Sequence, residues 1–89
     1  MRNQNQANNK KNKLEIELGG HTDNVGADDV NLRLSQQRAL SVQKYLADKE
    51  VSISRVKYAG HGETKPETTN ETEEDRAINR RVEFTILAL

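Results

Sequence analysis

Cysteine and tryptophan are absent from this 89-residue chain, and proline occurs once. Without thiols, neither a disulfide framework nor a cysteine-ligated zinc site is available. Two Tyr and one Phe are the only aromatics, too few for the stacking platform that single-stranded nucleic acid uses. Long apolar runs are missing as well. The longest, residues 85–89, falls far short of the roughly 18 residues that a membrane-spanning helix takes, so no direct insertion into a membrane is expected. Charge of one sign is lacking too. Lys and Arg number 14 against 14 Asp and Glu. This balance excludes a strongly basic nucleic-acid binder and a polyacidic tail as descriptions of the whole chain.

The balance is a cancellation between two regions. Residues 1–13 hold Arg2, Lys10, Lys11 and Lys13 and no acid, so residues 14–89 carry a net −4. All 19 Leu, Ile, Val and Phe residues lie from Leu14 onward. The lead is therefore read as a disordered polar and basic segment that cannot offset the entropy of ordering. It has no apolar stretch of the kind a signal peptide needs. Its four scattered cations are weak grounds for a nucleic-acid arm, and no nucleic-acid partner is expected. Residues 14–89 are read as one domain.

Leu14-Glu15-Ile16-Glu17-Leu18 alternates apolar and charged and stops at Gly19-Gly20. That pattern predicts a half-buried strand with Leu14, Ile16 and Leu18 inward. Residues 21–30 read as a polar loop. From about Leu34 to Lys49 the period becomes helical. Leu34, Val42, Tyr45 and Leu46 fall near one face with Ala39 beside them, and Asn31 or Ser35 is placed to cap the start. Residues 55–60 predict a second strand, so strand, helix and strand form a right-handed crossover with parallel strands. A polar stretch over residues 61–77 ends in a short helical turn at residues 73–78. Residues 81–87 form the last strand, with Val82, Phe84 and Ile86 facing one way. The expected fold is α+β, a two-layer α/β sandwich with the order β-α-β-loop-β. One helix covers only part of such a sheet. An exposed strand edge follows, and with it a route to a homo-oligomer.

Both crossover strands end alike, in Gly20-His21-Thr22-Asp23 and Gly60-His61-Gly62-Glu63. Ligands gather beyond the carboxyl ends of parallel strands, so a site belongs here. The two His-x-acid pairs suggest metal ligands, yet neither has helical i, i+4 spacing; the bland reading is that each His bonds to loop backbone. No Gly-x-Ser-x-Gly elbow or phosphate-loop spacing is present, so no catalytic residue, enzymatic activity or cofactor is expected. Asp23 and Arg38 are the stronger candidates. A carboxylate and a guanidinium held near one another clamp a zwitterion, the acid taking the ammonium and the planar fork the carboxylate. The alternative is that they simply pair with each other. Asn79-Arg80-Arg81 either ends a solvated strand or brings a second cation to the same rim.

Four stretches carry a resemblance. They are Gly20-His21-Thr22-Asp23-Asn24-x-Gly26, then Asn31-x-x-Leu34-Ser35-x-x-Arg38-Ala39-x-x-Val42-x-x-Tyr45-Leu46, then Arg55 through Gly60-x-Gly62-Glu63-x-x-Pro66, then Asn79-Arg80-Arg81-Val82-Glu83-Phe84. In this order and spacing they resemble the OmpA-like C-terminal domain, a family that includes peptidoglycan-associated lipoprotein and the periplasmic part of MotB. The resemblance implies a non-catalytic module that binds peptidoglycan through the diaminopimelate of its stem peptide. It also implies a periplasmic place, associated with the outer membrane of a Gram-negative bacterium. Asp23 matches the position that holds the diaminopimelate ammonium, and Arg38 the one that holds its carboxylate. Asn31, Leu34 and Arg80 match positions lining that pocket, while Thr22 and Gly26 shape the loop.

The family's order is β-α-β-α-β-β, and residues 1–13 have no counterpart for its first strand and helix. The domain is accordingly read as N-terminally incomplete. Asp75 stands where a Gly is common, with only a local effect expected. A different function also fits such a chain: an assembly module lending strands to a partner without binding the cell wall.

Overall fold

In the computed structural model, which describes residues 14–89, five main elements follow one another: β1 (Glu15–Gly20), α1 (Asp28–Asp48), β2 (Val56–Gly60), α2 (Glu73–Asn79) and β3 (Val82–Ala88). A 3-10 turn at Ile53–Arg55 leads into β2. The sheet order is β2-β1-β3. β1 and β2 are parallel, with Ile16 opposite Val56 and Gly20 opposite Gly60, as a crossover demands. β3 runs antiparallel on the other side of β1, with Leu18 opposite Phe84 and Gly20 opposite Val82. The mixed two-layer α+β arrangement is the one the periodicities predict. The reading of residues 1–13 lies outside the described residues.

α1 begins at Asp28, earlier than the expected start near Leu34, so the supposed loop through Val30 is partly helix. Asp28 and Asp29 occupy the first turn, where carboxylates favour the positive end of the helix dipole. Ala27 is the N-cap and supplies no side-chain bond. Asn31 and Ser35 are therefore not caps. They are buried within α1, 4% and 0% exposed.

The inward stripe of the first half of α1 is polar and small, formed by Asn31, Ser35 and Ala39. Only further along do Val42 and Leu46 join the apolar core of Leu18, Ala39 and Val56. Leu34 and Tyr45, expected on the core face, stand on a flank, 38% and 60% exposed. The glycines explain this. A Cβ on Gly20 would lie 1.9 Å from the Ser35 carbonyl oxygen, and one on Gly60 2.6 Å from Ser35 Oγ. The helix backbone rests directly on the strand ends, an approach possible only where side chains are minimal. Ser35 Oγ then donates to Leu32 O at 2.7 Å and accepts from Gly62 N at 2.9 Å. That pair of bonds fastens the loop after β2 to the helix.

Candidate functional site

The chain stays extended and bonded past the end of β1. His21 N donates to Arg81 O at 2.8 Å, Thr22 N to Gly62 O at 2.9 Å, and His61 N to Gly20 O at 2.9 Å. Thr22 Oγ1 donates to Asp23 O at 2.8 Å. These bonds deliver Asp23 to the rim with its carboxylate fixed from two sides. Oδ1 accepts from Val25 N at 3.0 Å, closing an Asx turn, and Oδ2 accepts from Arg80 Nη1 at 2.7 Å. Arg80 Nη2 donates in turn to Glu73 Oε2 at 2.6 Å, so one guanidinium bridges two acids.

Burial alone disfavours charge on Asp23. The Arg80 hydrogen bond, the Val25 amide and the charges of Arg80 and Arg76 outweigh it and hold the carboxyl below its ordinary value. Glu73 is lowered chiefly by its hydrogen bond from Arg80, while bonds to Glu73 and then Asp23 raise Arg80.

Arg38 reaches the same loop from α1. Its Nη1 donates to His21 O at 3.0 Å, and among the described residues no carboxylate lies within ion-pair distance of it. The reading in which Asp23 and Arg38 neutralise each other is thus corrected. Asp23 is paired with Arg80, which the turn from α2 into β3 carries to the rim. Asn31 Nδ2 sits among Asp23 O at 3.4 Å, Val25 O at 3.1 Å and Glu63 Oε1 at 3.0 Å, pinning the loop to α1. Leu34 lies one turn before Arg38 on the exposed flank. A cavity of about 350 Å³ lined by Asp28, Leu32, His61, Gly62, Glu63 and Thr64 opens beside Glu63.

The two histidines take another course. His21 and His61 stack with ring centroids 5.1 Å apart, and His21 Nε2 is 3.5 Å from Glu83 Oε1. Neither imidazole meets the acid of its own His-x-acid pair, because Asp23 is held by Arg80 and Glu63 by Asn31. Among the described residues no three metal-ligating side chains converge. The His/carboxylate metal reading is left without a ligand set. Burial, then Arg81, lowers the His21 pKa, with His61 and Lys65 adding to the effect and Glu83 opposing it.

Several residues essential to this geometry gave little sign in the sequence. Asn79 is 0% exposed. Its Oδ1 accepts from Glu67 N at 2.8 Å and Thr68 N at 3.1 Å. Its Nδ2 donates to Thr68 O at 3.2 Å, Thr69 O at 3.0 Å and Asn70 Oδ1 at 3.0 Å. Asn70 Oδ1 accepts also from Asn24 N at 3.3 Å, next to Asp23. Its one trace in the sequence is the Asn79-Arg80-Arg81 run, in which a neutral amide beside two guanidinium groups gives no sign of burial. Arg81 is a structural member, bonding Glu83 at 2.8 Å, Asn79 O at 3.1 Å and Lys65 O at 2.9 Å.

Known proteins resemble this chain in sequence and in fold. The OmpA family matches over residues 2–80. Outer membrane porin F of Pseudomonas fluorescens is 45% identical over 73 residues, 82% of this chain and 22% of that protein. Peptidoglycan-binding protein ArfA of Mycobacterium tuberculosis is 39% identical over 71 residues, 80% of this chain and 22% of that protein. The chain thus spans about a fifth of the length of these curated relatives. The crystal structure of the peptidoglycan-associated lipoprotein from Burkholderia pseudomallei superposes with a TM-score of 0.83 at 27% identity, covering 96% of this chain and 72% of that one. A family match across nearly all of the sequence, on a shared fold, places this chain in the OmpA family.

Proposed function

We propose that residues 14–89 form a non-catalytic module that binds peptidoglycan. Asp23 receives the ammonium, and Arg38 the carboxylate, of the zwitterionic end of a diaminopimelate stem peptide. One observation carries the reading: Arg38 is brought to the loop that bears Asp23, yet no carboxylate among the described residues neutralises it. A guanidinium so placed is matched to an incoming carboxylate. Arg80 and Val25 hold Asp23 ionised and aimed. Thr22 and Asn31 fix the loop, and Leu34 offers apolar surface beside the fork. Relatives named for peptidoglycan binding or association support the same ligand. On this reading the protein works in the bacterial envelope, in the periplasm at the outer membrane.

Retention on diaminopimelate-type sacculi tests it. Asp23→Ala and Arg38→Ala each remove a charge-assisted hydrogen bond worth about 1.5–3 kcal/mol, so affinity is expected to fall roughly 10- to 100-fold. Sacculi with lysine in place of diaminopimelate lack the carboxylate that Arg38 receives. They are expected to be held no better than Arg38→Ala holds the diaminopimelate type. Unaltered binding by both alanine variants would sink the clamp.

A further inference from the structure

We propose that Glu73 is a specificity-determining residue of the clamp: by holding one arm of the Arg80 guanidinium, it keeps that fork from closing on Asp23 and preserves the carboxylate for an incoming ammonium. The inference rests on the ligand assignment proposed above and deepens it. A guanidinium and a carboxylate left to themselves pair fork to fork, through two parallel N–H···O bonds that occupy both oxygens. Asp23 and Arg80 are not closed in this way. Asp23 Oδ2 accepts from Arg80 Nη1 at 2.7 Å, while Oδ1 accepts from Val25 N at 3.0 Å. The second arm, Arg80 Nη2, is turned away to Glu73 Oε2 at 2.6 Å. Each oxygen of an ionised carboxylate offers about two lone pairs. Among the described residues one donor meets each Asp23 oxygen, so each keeps a lone pair for a ligand.

The local sequence puts Glu73 within reach. Thr72 caps α2 by accepting from Asp75 N at 3.1 Å, which makes Glu73 the first helical residue. Arg80 comes seven residues later. That is about two helical turns, so the two side chains share a face. Glu73 is exposed and Arg80 half-buried, whereas Asp23 is buried and held by its Asx turn. The guanidinium is thus the member of the trio with room to move. Net charge does not account for the arrangement. Arg76 Nε donates to Glu73 Oε1 at 3.3 Å, and its Nη1 to Asn70 O at 3.0 Å. Two acids, Asp23 and Glu73, therefore stand with two bases, Arg80 and Arg76. No surplus of negative charge draws an ammonium in; what Glu73 supplies is geometry. Its hydrogen bond from Arg80 also favours the ionised form of Glu73, so the hold on the second arm persists at neutral pH.

The ammonium alone is read by comparing two ligands in calorimetric titration: a soluble diaminopimelate stem peptide, and the same peptide with its free amine acetylated. The wild-type chain is expected to prefer the free amine roughly 10- to 100-fold, the worth of one charge-assisted bond. Glu73→Ala is expected to shrink that preference at least about fivefold. Glu73→Gln, which keeps the side-chain length, is expected to move it in the same direction and guards against a loss of fold. Glu74→Ala removes an equal charge from the same turn but, among the described residues, Glu74 pairs with neither arginine; its preference is expected to match the wild type. In an Arg80→Ala background, whatever that change costs by itself, adding Glu73→Ala should alter the preference less than about twofold, because no fork remains to close. Glu73 variants that keep the full preference, a Glu74→Ala variant that loses as much, or a Glu73 effect undiminished without Arg80 would each overturn the proposal and leave the clamp standing. A wild-type chain with no preference for the free amine would overturn the clamp, and this inference with it.

Discussion

At the strand ends, His21 is buried where a positive charge is disfavoured. It is 2% exposed, and its Nδ1 is buried without a hydrogen-bond partner among the described residues. Burial and then the Arg81 guanidinium hold its pKa below the ordinary 6.5. When the folded value is depressed, the unfolded chain takes up the proton first. The contribution of neutral His21 is therefore complete above pH 6.5 and lost as pH falls below that value toward the folded one. Asp23 and Glu73 are lowered from 3.8 and 4.5, so their contribution persists until pH drops below those values. Acid is expected to weaken the fold in two separated steps. His21→Gln should abolish the first step and keep the second, read by urea denaturation at about pH 7.5, 5.5 and 3.5. An identical loss between the first two pH values in both proteins would assign that step to another group.

At the scale of elements, the decisive contact is α1 on the glycine ends of β1 and β2. A methyl group on Gly20 would lie 1.9 Å from Ser35 O, and the neighbour is backbone, which cannot rotate away. Gly20→Ala is expected to cost about 3 kcal/mol or more as the helix lifts from the sheet. Gly26→Ala makes the contrasting case. Nothing lies within 4 Å of its added Cβ, but its φ is +94°, so only backbone strain of about 1–2 kcal/mol is expected. Denaturant midpoints with equal slopes check both, and a Gly20→Ala variant no weaker than Gly26→Ala would refute the packing account. The same contact explains what the sequence disclosed. β1 was legible because Leu14 to Leu18 alternates strictly, and the parallel crossover followed from the order of elements. The early turns of α1 were hidden because Asn31 and Ser35, polar on an inward face, break the apolar period that marks a helix. α2 was legible only as a short turn at residues 73–78; its cap, Thr72, whose Oγ1 accepts from Asp75 N at 3.1 Å, came from the structure. Asp23 and Arg38 were visible from their motifs. The Asp23–Arg80 pair was not: its partners stand 57 residues apart, and no local rule selects between Arg38 and Arg80.

For the whole molecule, charge is divided along the sequence, with four cations in residues 1–13 and a net −4 over residues 14–89. On the proposed function, two routes to an anionic polymer follow, and they obey different physics. Attraction of the basic lead to peptidoglycan carboxylates acts at a distance and is screened beyond about 8 Å at 0.15 M salt. The Asp23–Arg38 clamp acts at contact on a ligand with no net charge, so salt has little purchase on it. In the intact chain, changing Lys10, Lys11 and Lys13 together to Gln is expected to slow or weaken capture by sacculi a few-fold at low salt. The same change should leave capture at about 0.15 M salt unaltered. Arg38→Ala is expected to stay defective at both salt concentrations. Sedimentation of sacculi with each protein across a salt series reads the difference. A triple-Gln chain as defective as Arg38→Ala at the higher salt would move the binding from the rim of the sheet to the lead.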